Sequence, residues 1–152
     1  MKTVVLGLGN PLLHDDGAGI EAVKMLEGRV GGEIELRTAA VGGLRILDQL
    51  VGFGRAIVVD AIMTGGLAGQ IKRFEEEYLA GDLHASCAHD LSFQEALALG
   101  RSLGMAVPHE IIVYGIEVAD PHRLEEGCSP PVLAGAQEAA RLIGNELANL
   151  IE

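Results

Sequence analysis

The chain has 152 residues, of which 49% are hydrophobic and 22% charged, a composition that suits one globular domain and not a disordered or collagen-like chain. Aromatic residues make up only 3% and Trp is absent, so the core must be aliphatic and stacking platforms for single-stranded nucleic acid are disfavoured. Eleven Lys and Arg against twenty-two Asp and Glu leave a formal charge of −11, which repels phosphate backbones and argues against nucleic acid as a partner.

Thr3 to Leu8 is a short β-rich apolar run closed by Gly9-Asn10-Pro11, the pattern of a buried strand ending in a turn. From about Asp16 to Leu26 the apolar residues Ile20, Val23 and Leu26 recur at helical spacing, with Asp15 and Asp16 at the positive end of the helix. Glu33 to Leu36 reads as a second strand, and Leu44 to Leu50 as a short helix preceded by Gly42-Gly43. Ala56 to Val59 is wholly aliphatic, as in a central strand covered on both faces, and is expected to end at Asp60. Gly69 to Phe74 gives a fourth strand. Only Ala61 to Ala68 separate it from the third, too few for a parallel crossover, so it is expected to run antiparallel. Ser92-Phe93-Gln94-Glu95 is a capping box opening a helix that ends near Leu103. Ile111 to Ile116 is a fifth strand, and Ser129-Pro130-Pro131 opens a last helix with Val132, Ala136, Ala140, Ile143, Leu147 and Leu150 on its apolar face. Alternating strands and helices predict a three-layer α/β/α sandwich around a mostly parallel five-stranded sheet with one antiparallel strand.

The apolar runs fall far short of the ~20 residues that span a bilayer. The start Thr3 to Leu8 runs at once into Asn10, Pro11, Asp15 and Asp16, unlike a secretory signal, so a cytoplasmic location is expected. Cys87 and Cys128 are too few for a disulfide framework and read as reduced thiols. No repeat or linker divides the chain, so residues 1–152 are expected to form one domain.

In open α/β sheets, ligands gather outside the carboxyl ends of the parallel strands. Asp16 follows the first strand across a turn, and Asp60 terminates the third. His89 precedes a helix that must start at the same edge in order to feed a parallel fifth strand. Two carboxylates and an imidazole form a first shell for a divalent borderline cation, with positions left open for other ligands. A helix N-terminus disfavours imidazolium, which keeps His89 able to coordinate. Each residue also has a plainer reading: Asp16 as a helix cap, Asp60 bonded to a loop, and His89 as an exposed loop histidine. His14, His84, His109 and His122 read as surface residues, His14 nearest the site, and Cys87 as a minor alternative ligand.

Gly7-Leu8-Gly9-Asn10-Pro11 lacks the third glycine of a dinucleotide fingerprint, where Leu12 stands, and the chain carries neither a phosphate-binding P-loop nor a serine-hydrolase elbow. The segments Gly7-Leu8-Gly9-Asn10-Pro11-Leu12, Asp15-Asp16-Gly17-Ala18-Gly19, Val58-Val59-Asp60-Ala61 and Ala88-His89-Asp90-Leu91 together resemble the hydrogenase maturation endopeptidases. Gly42-Gly43, Gly115-Ile116-Glu117 and Ser129-Pro130 extend the likeness nearly end to end.

The resemblance implies a phosphorylase/hydrolase-like fold and metal binding by Asp16, Asp60 and His89. It also implies removal of a C-terminal extension from the [NiFe]-hydrogenase large-subunit precursor once nickel has been inserted. Nickel would be supplied by that precursor, other divalent metals substituting for it, and the protease would act as a monomer. Asn10, Gly42 and Gly43 line the same edge as a path for the extended peptide, or serve only as turn residues. The alternatives are a non-catalytic, nickel-dependent precursor-binding module and a peptidyl-tRNA hydrolase-like enzyme. The second shares the opening Gly-Leu-Gly-Asn-Pro but requires a His-Asn pair that is absent and a basic face that a charge of −11 does not provide.

Overall fold

The computed structural model describes residues 2–40, 43–76, 93–119 and 123–150. In chain order these form β1 (Thr3–Leu8), a 3-10 turn (His14–Gly17), α1 (Ala18–Lys24), β2 (Ile34–Ala39), a second 3-10 turn (Gly43–Ile46) and α2 (Leu47–Leu50). They continue with β3 (Arg55–Ile62), β4 (Ile71–Glu75), α3 (Phe93–Ser102), β5 (Glu110–Glu117) and α4 (Pro130–Leu150). The five strands lie in the order β2-β1-β3-β5-β4. β1 pairs in parallel with β2 and β3, β3 pairs in parallel with β5, and β4 runs antiparallel to β5 as its short connection requires.

The aliphatic runs show little polar alternation because both faces of the sheet are covered. Val5, Ile57, Val59, Ile112 and Tyr114 pack with α1 and α4. Val4, Leu6, Ala56, Val58, Ile111 and Val113 pack with α2 and α3 on the other face. The layering and the antiparallel β4 are as the sequence predicts. Edge strand β4 is tied to α4 by Arg73, whose Nε and Nη2 donate to the Glu146 carboxylate at 2.9 and 3.0 Å. Tyr114 donates its hydroxyl to the same carboxylate, and burial, then Glu146, pushes that hydroxyl up to about 12.

Several expectations change in detail: β2 runs on to Ala39 and not only to Leu36, and the helix expected over Leu44 to Leu50 opens as a 3-10 turn through Ile46. β3 does not end at Asp60 but runs on to Ile62, with Asp60 opposite Gly115, because Ala61 and Ile62 are apolar and still find partners on β5. The first helix does not begin at Asp16: a 3-10 turn comes first, and the α-helix starts at Ala18 behind Gly17. Leu150, expected on the buried face of α4, is exposed. Ser92 of the capping box lies outside the described residues.

What seats α1 is a backbone contact. A Cβ on Gly19 would lie 2.2 Å from the Val59 carbonyl oxygen and 2.7 Å from that of Leu8, and one on Gly7 would lie 2.5 Å from the Gly19 oxygen. The first turn of α1 therefore rests on the main chain of β1 and β3 with no side chain between them. Gly19→Ala is expected to destabilise the fold by ~1–3 kcal/mol or more, although alanine favours a helix. Gly32→Ala, which meets nothing within 4 Å, is expected to stay within about 0.5 kcal/mol. Urea unfolding of the two variants checks this difference.

Candidate metal centre

At the carboxyl end of β1 the chain turns out of the sheet at Gly9, with φ 143°, where a Cβ would lie 2.0 Å from the Asp16 carbonyl oxygen. The Asn10 side chain accepts the Leu12 N–H at 3.0 Å, which fixes the turn, and the Asn10 N–H donates to Asp16 Oδ2 at 2.8 Å. Asp16 is fully buried, and its Oδ1 has no hydrogen-bond partner among the described residues. Nor is Asp16 a helix cap: Gly17 is the N-cap of α1, and no side chain caps it.

Asp60 is buried on β3, one residue beyond Val59, which is in register with Gly7 of β1. Strand alternation puts its side chain on the side of Ala56 and Val58, and its Oδ1 accepts the Ala61 N–H at 2.9 Å. The 3-10 turn carrying Asp16 lies against β3, so both carboxylates occupy one end of the sheet. Gly43 opens the second 3-10 turn beyond the carboxyl end of β2, at that same edge. His89, Gly42 and Cys87 lie outside the described residues.

Beside Asp16 the fold assembles a cluster that sequence spacing does not reveal. Asp15 is buried and accepts from Ser129, just before α4, both the backbone N–H at 2.8 Å and the hydroxyl at 3.2 Å. His14 is not the surface residue its sequence context suggests. Its side chain is 13% exposed, its φ is 27°, and its Nε2 lies 3.5 Å from Asp15 Oδ1. The His14 N–H donates to the Glu125 carbonyl at 2.7 Å, and the Glu125 N–H donates to the Leu12 carbonyl at 3.1 Å. The segment after β5 is thereby zipped to the loop after β1. Cys128 has a free thiol pushed up to about 11, first by burial and then by Asp15, Glu21 and Asp16. It is protonated at neutral pH and so a poor nucleophile. His109 is exposed as expected; His84 and His122 lie outside the described residues.

These residues fit a divalent cation in one specific respect. A buried acceptor without a partner costs about 1–3 kcal/mol, more when charged, and a cation beside Asp16 Oδ1 would remove that cost. Carboxylate oxygens with an imidazole suit a borderline metal. Among the described residues no group of three His, Cys, Asp or Glu side chains is gathered that could hold a metal ion, and His89, the third expected donor, lies outside them. An open cleft of 690 Å³ among Lys2, Glu33, Arg37 and Phe53 lies at the opposite, amino edge of the sheet. There Arg37 is already held by Glu35, by the Gln49 carbonyl and over the Phe53 ring.

The family profile described as hydrogenase maturation protease matches residues 20–146. The chain belongs to that family. It is 30% identical to the hydrogenase expression/formation protein HupD of Thiocapsa roseopersicina over 76% of this chain, and spans 54% of that protein. It is 28% identical to the hydrogenase 2 maturation protease of Escherichia coli (strain K12), over 91% of this chain and 86% of that one. A hydrogenase maturating endopeptidase from E. coli shares the fold at 22% identity, with a TM-score of 0.82 over 99% of this chain and 94% of that one. A [NiFe] hydrogenase maturation protease from Thermococcus kodakarensis has a TM-score of 0.68 at 27% identity, over 97% of this chain and 99% of that one. The resemblance read from the sequence is borne out.

In this chain Asp15 and Asp16, adjacent in sequence, do different work: the Asp15 carboxylate fastens the 3-10 turn to the residue before α4, and Asp16 Oδ1 has no hydrogen-bond partner among the described residues. Asp15→Ala leaves the half-buried Ser129 N–H without its partner and is expected to destabilise by about 1–3 kcal/mol, Ser129→Ala by about 0.5–1.5 kcal/mol. The double variant should cost less than the sum, because both changes break one contact. Thermal and urea unfolding of the three proteins checks this.

Proposed function

We propose that this chain is an endopeptidase that removes the C-terminal extension of the nickel-loaded [NiFe]-hydrogenase large-subunit precursor. Asp16, Asp60 and His89 complete the coordination of nickel that the precursor brings. Asn10, Gly42 and Gly43 line the path of the extended peptide. The observation that carries this reading is the buried Asp16 Oδ1, an acceptor left without a protein partner among the described residues beside a second buried carboxylate. Family membership supports the peptidase chemistry.

No side-chain nucleophile is assembled among the described residues: the Cys128 thiol is protonated, and the Ser129 hydroxyl bonds to Asp15 and not to an imidazole. The attacking group in this proposal is water. Its oxygen bonds to the scissile carbonyl carbon, the C–N bond breaks, and the departing amine carries away a proton. Asp16 and Asp60, held on the 3-10 turn and β3, hold the precursor's metal against the peptide and so orient that bond.

The protease works as a single domain over residues 1–152, as a monomer in the cytoplasm, with the precursor as its protein partner. No helix among the described residues is long and apolar enough to cross a membrane, and the charge of −11 speaks against nucleic acid.

The test incubates the protein with precursor with and without nickel and follows the precursor C-terminus by mass spectrometry. Cleavage is expected only with nickel. Asp16→Ala, Asp60→Ala and His89→Ala are each expected to lower it by ~10²-fold or more, as removal of a group that stabilises or positions the transition state does. Equal cleavage of the nickel-free form, or normal processing by all three variants, would overturn the mechanism. Binding without cleavage of either form would favour a non-catalytic binding module.

A further inference from the structure

The loop between β3 and β4 begins three residues after Asp60 and is pinned from both sides. Glu117, at the end of β5, is buried, with one carboxylate oxygen accepting the Thr64 N–H at 3.1 Å and the other accepting the Thr64 hydroxyl. The Lys72 ammonium lies 3.2 Å from the same carboxylate. Burial by itself would raise the Glu117 carboxyl, but the Thr64 hydrogen bonds and Lys72 outweigh it and hold the group below the usual carboxylate range. The Glu117 backbone closes the far end of the loop: its N–H donates to the Gln70 carbonyl at 2.9 Å, and its carbonyl accepts the Gly69 N–H at 2.8 Å. Gly69, with φ 91°, sits so close to α4 that a Cβ there would lie 2.2 Å from the Pro131 carbonyl oxygen. A tight turn then closes with the Gln70 N–H donating to the Leu67 carbonyl at 3.0 Å.

This rigid loop holds an apolar side chain in water: Leu67 is 82% exposed, and Met63 at the loop's start is 50% exposed. Isolated exposed leucines are ordinary, so their placement has to carry the argument. Leu12, at 53%, and Leu124, at 81%, lie in the segments zipped together beyond the carboxyl end of β1, and Leu44 follows β2. All five belong to loops at the edge that carries Asp16 and Asp60.

We infer that the β3–β4 loop, with Leu67 as its anchor, docks an uncharged or basic apolar stretch of the precursor that lies beside the metal-bound segment. This rests on the function proposed above. Three residues of extended chain reach about 10 Å, so Met63 lies within that distance of Asp60, the range covered by the first few peptide residues on either side of a metal held there. The buried Asp15, Asp16 and Asp60 carboxylates at this edge, in a chain of charge −11, repel an acidic stretch, while Glu125 is already paired with Arg123, whose Nε lies 2.9 Å from its carboxylate. A loop fixed in advance loses little conformational freedom on binding, so a single exposed leucine can serve as an anchor.

The test titrates purified nickel-loaded precursor against the wild-type chain and its variants, reading the dissociation constant separately from cleavage. Leu67→Asp is expected to weaken binding about tenfold with an unchanged Tm, while Leu67→Met stays within about twofold. Leu103→Asp, at an exposed leucine beyond the far end of α3, is expected to bind as the wild type does. Thr64→Val should weaken binding and Thr64→Ser restore it. Unchanged affinity in Leu67→Asp, or equal weakening by Leu67→Asp and Leu103→Asp, would overturn the inference. A wild-type chain that binds without cleaving would defeat the endopeptidase reading and leave this titration to decide the docking loop by itself, whereas absence of binding would defeat both.

Discussion

The first turn of α1 lies on bare backbone. With Gly19 against the carbonyls of Val59 and Leu8, and Gly7 against the Gly19 oxygen, the helix sits lower on the sheet than any side chain would allow. The 3-10 turn that feeds it is drawn down beside β3, and Asp16 goes with it. Gly9 repeats the arrangement one turn earlier, touching the Asp16 carbonyl where a Cβ could not fit, and the Asp15–Ser129 bonds fasten the same turn to α4. The position of a single carboxylate is thus set by backbone contacts on one side and a buried hydrogen-bonded tie on the other. Rigid support of this kind is what holds a functional group within fractions of an ångström of its working geometry.

Much of the fold was legible because the local signals were strong and consistent. β1 has the bounds read from its aliphatic run, and β4 is antiparallel because eight residues could not carry a parallel crossover. The end of β3 was misread because a carboxylate looks like a strand end, whereas Ala61 and Ile62 continue the ladder opposite Ile116 and Glu117. Asp16 and Asp60 could be placed at one edge from topology alone. The separate jobs of Asp15 and Asp16 could not, since the partner of Asp15 lies 114 residues away and nothing in the local pattern points to Ser129. His14 was misjudged for the same reason: a polar neighbourhood in sequence became a mostly buried position once the segment around Glu125 folded across it. In the sequence Glu117 stands only as the end of Gly115-Ile116-Glu117, and its grip on Thr64 and Lys72 appears only in three dimensions.

Buried polar groups in this chain fall into two kinds. Asp15 and Glu117 are satisfied by hydrogen bonds and hold loops in place. Asp16 Oδ1, like His14 Nδ1, has no hydrogen-bond partner among the described residues. Burying a charged acceptor that the fold does not satisfy works against stability, so its presence beside a second buried carboxylate calls for a ligand brought from outside. In the proposed function, a metal carried by the partner protein would meet that need, and completion of the site would depend on a loaded partner. The resting chain holds its Cys128 thiol protonated, which removes a competing nucleophile and soft ligand from the edge.

The central claim is that the carboxylates at this edge ligate nickel held by the precursor. The most direct measurement is nickel X-ray absorption of the loaded precursor, alone and saturated with this protein under conditions that slow cleavage. The account predicts that wild-type protein adds oxygen or nitrogen scatterers to the nickel shell and that Asp60→Ala, bound to the same extent, adds fewer. A nickel spectrum that stays unchanged when the two proteins are demonstrably bound would contradict it.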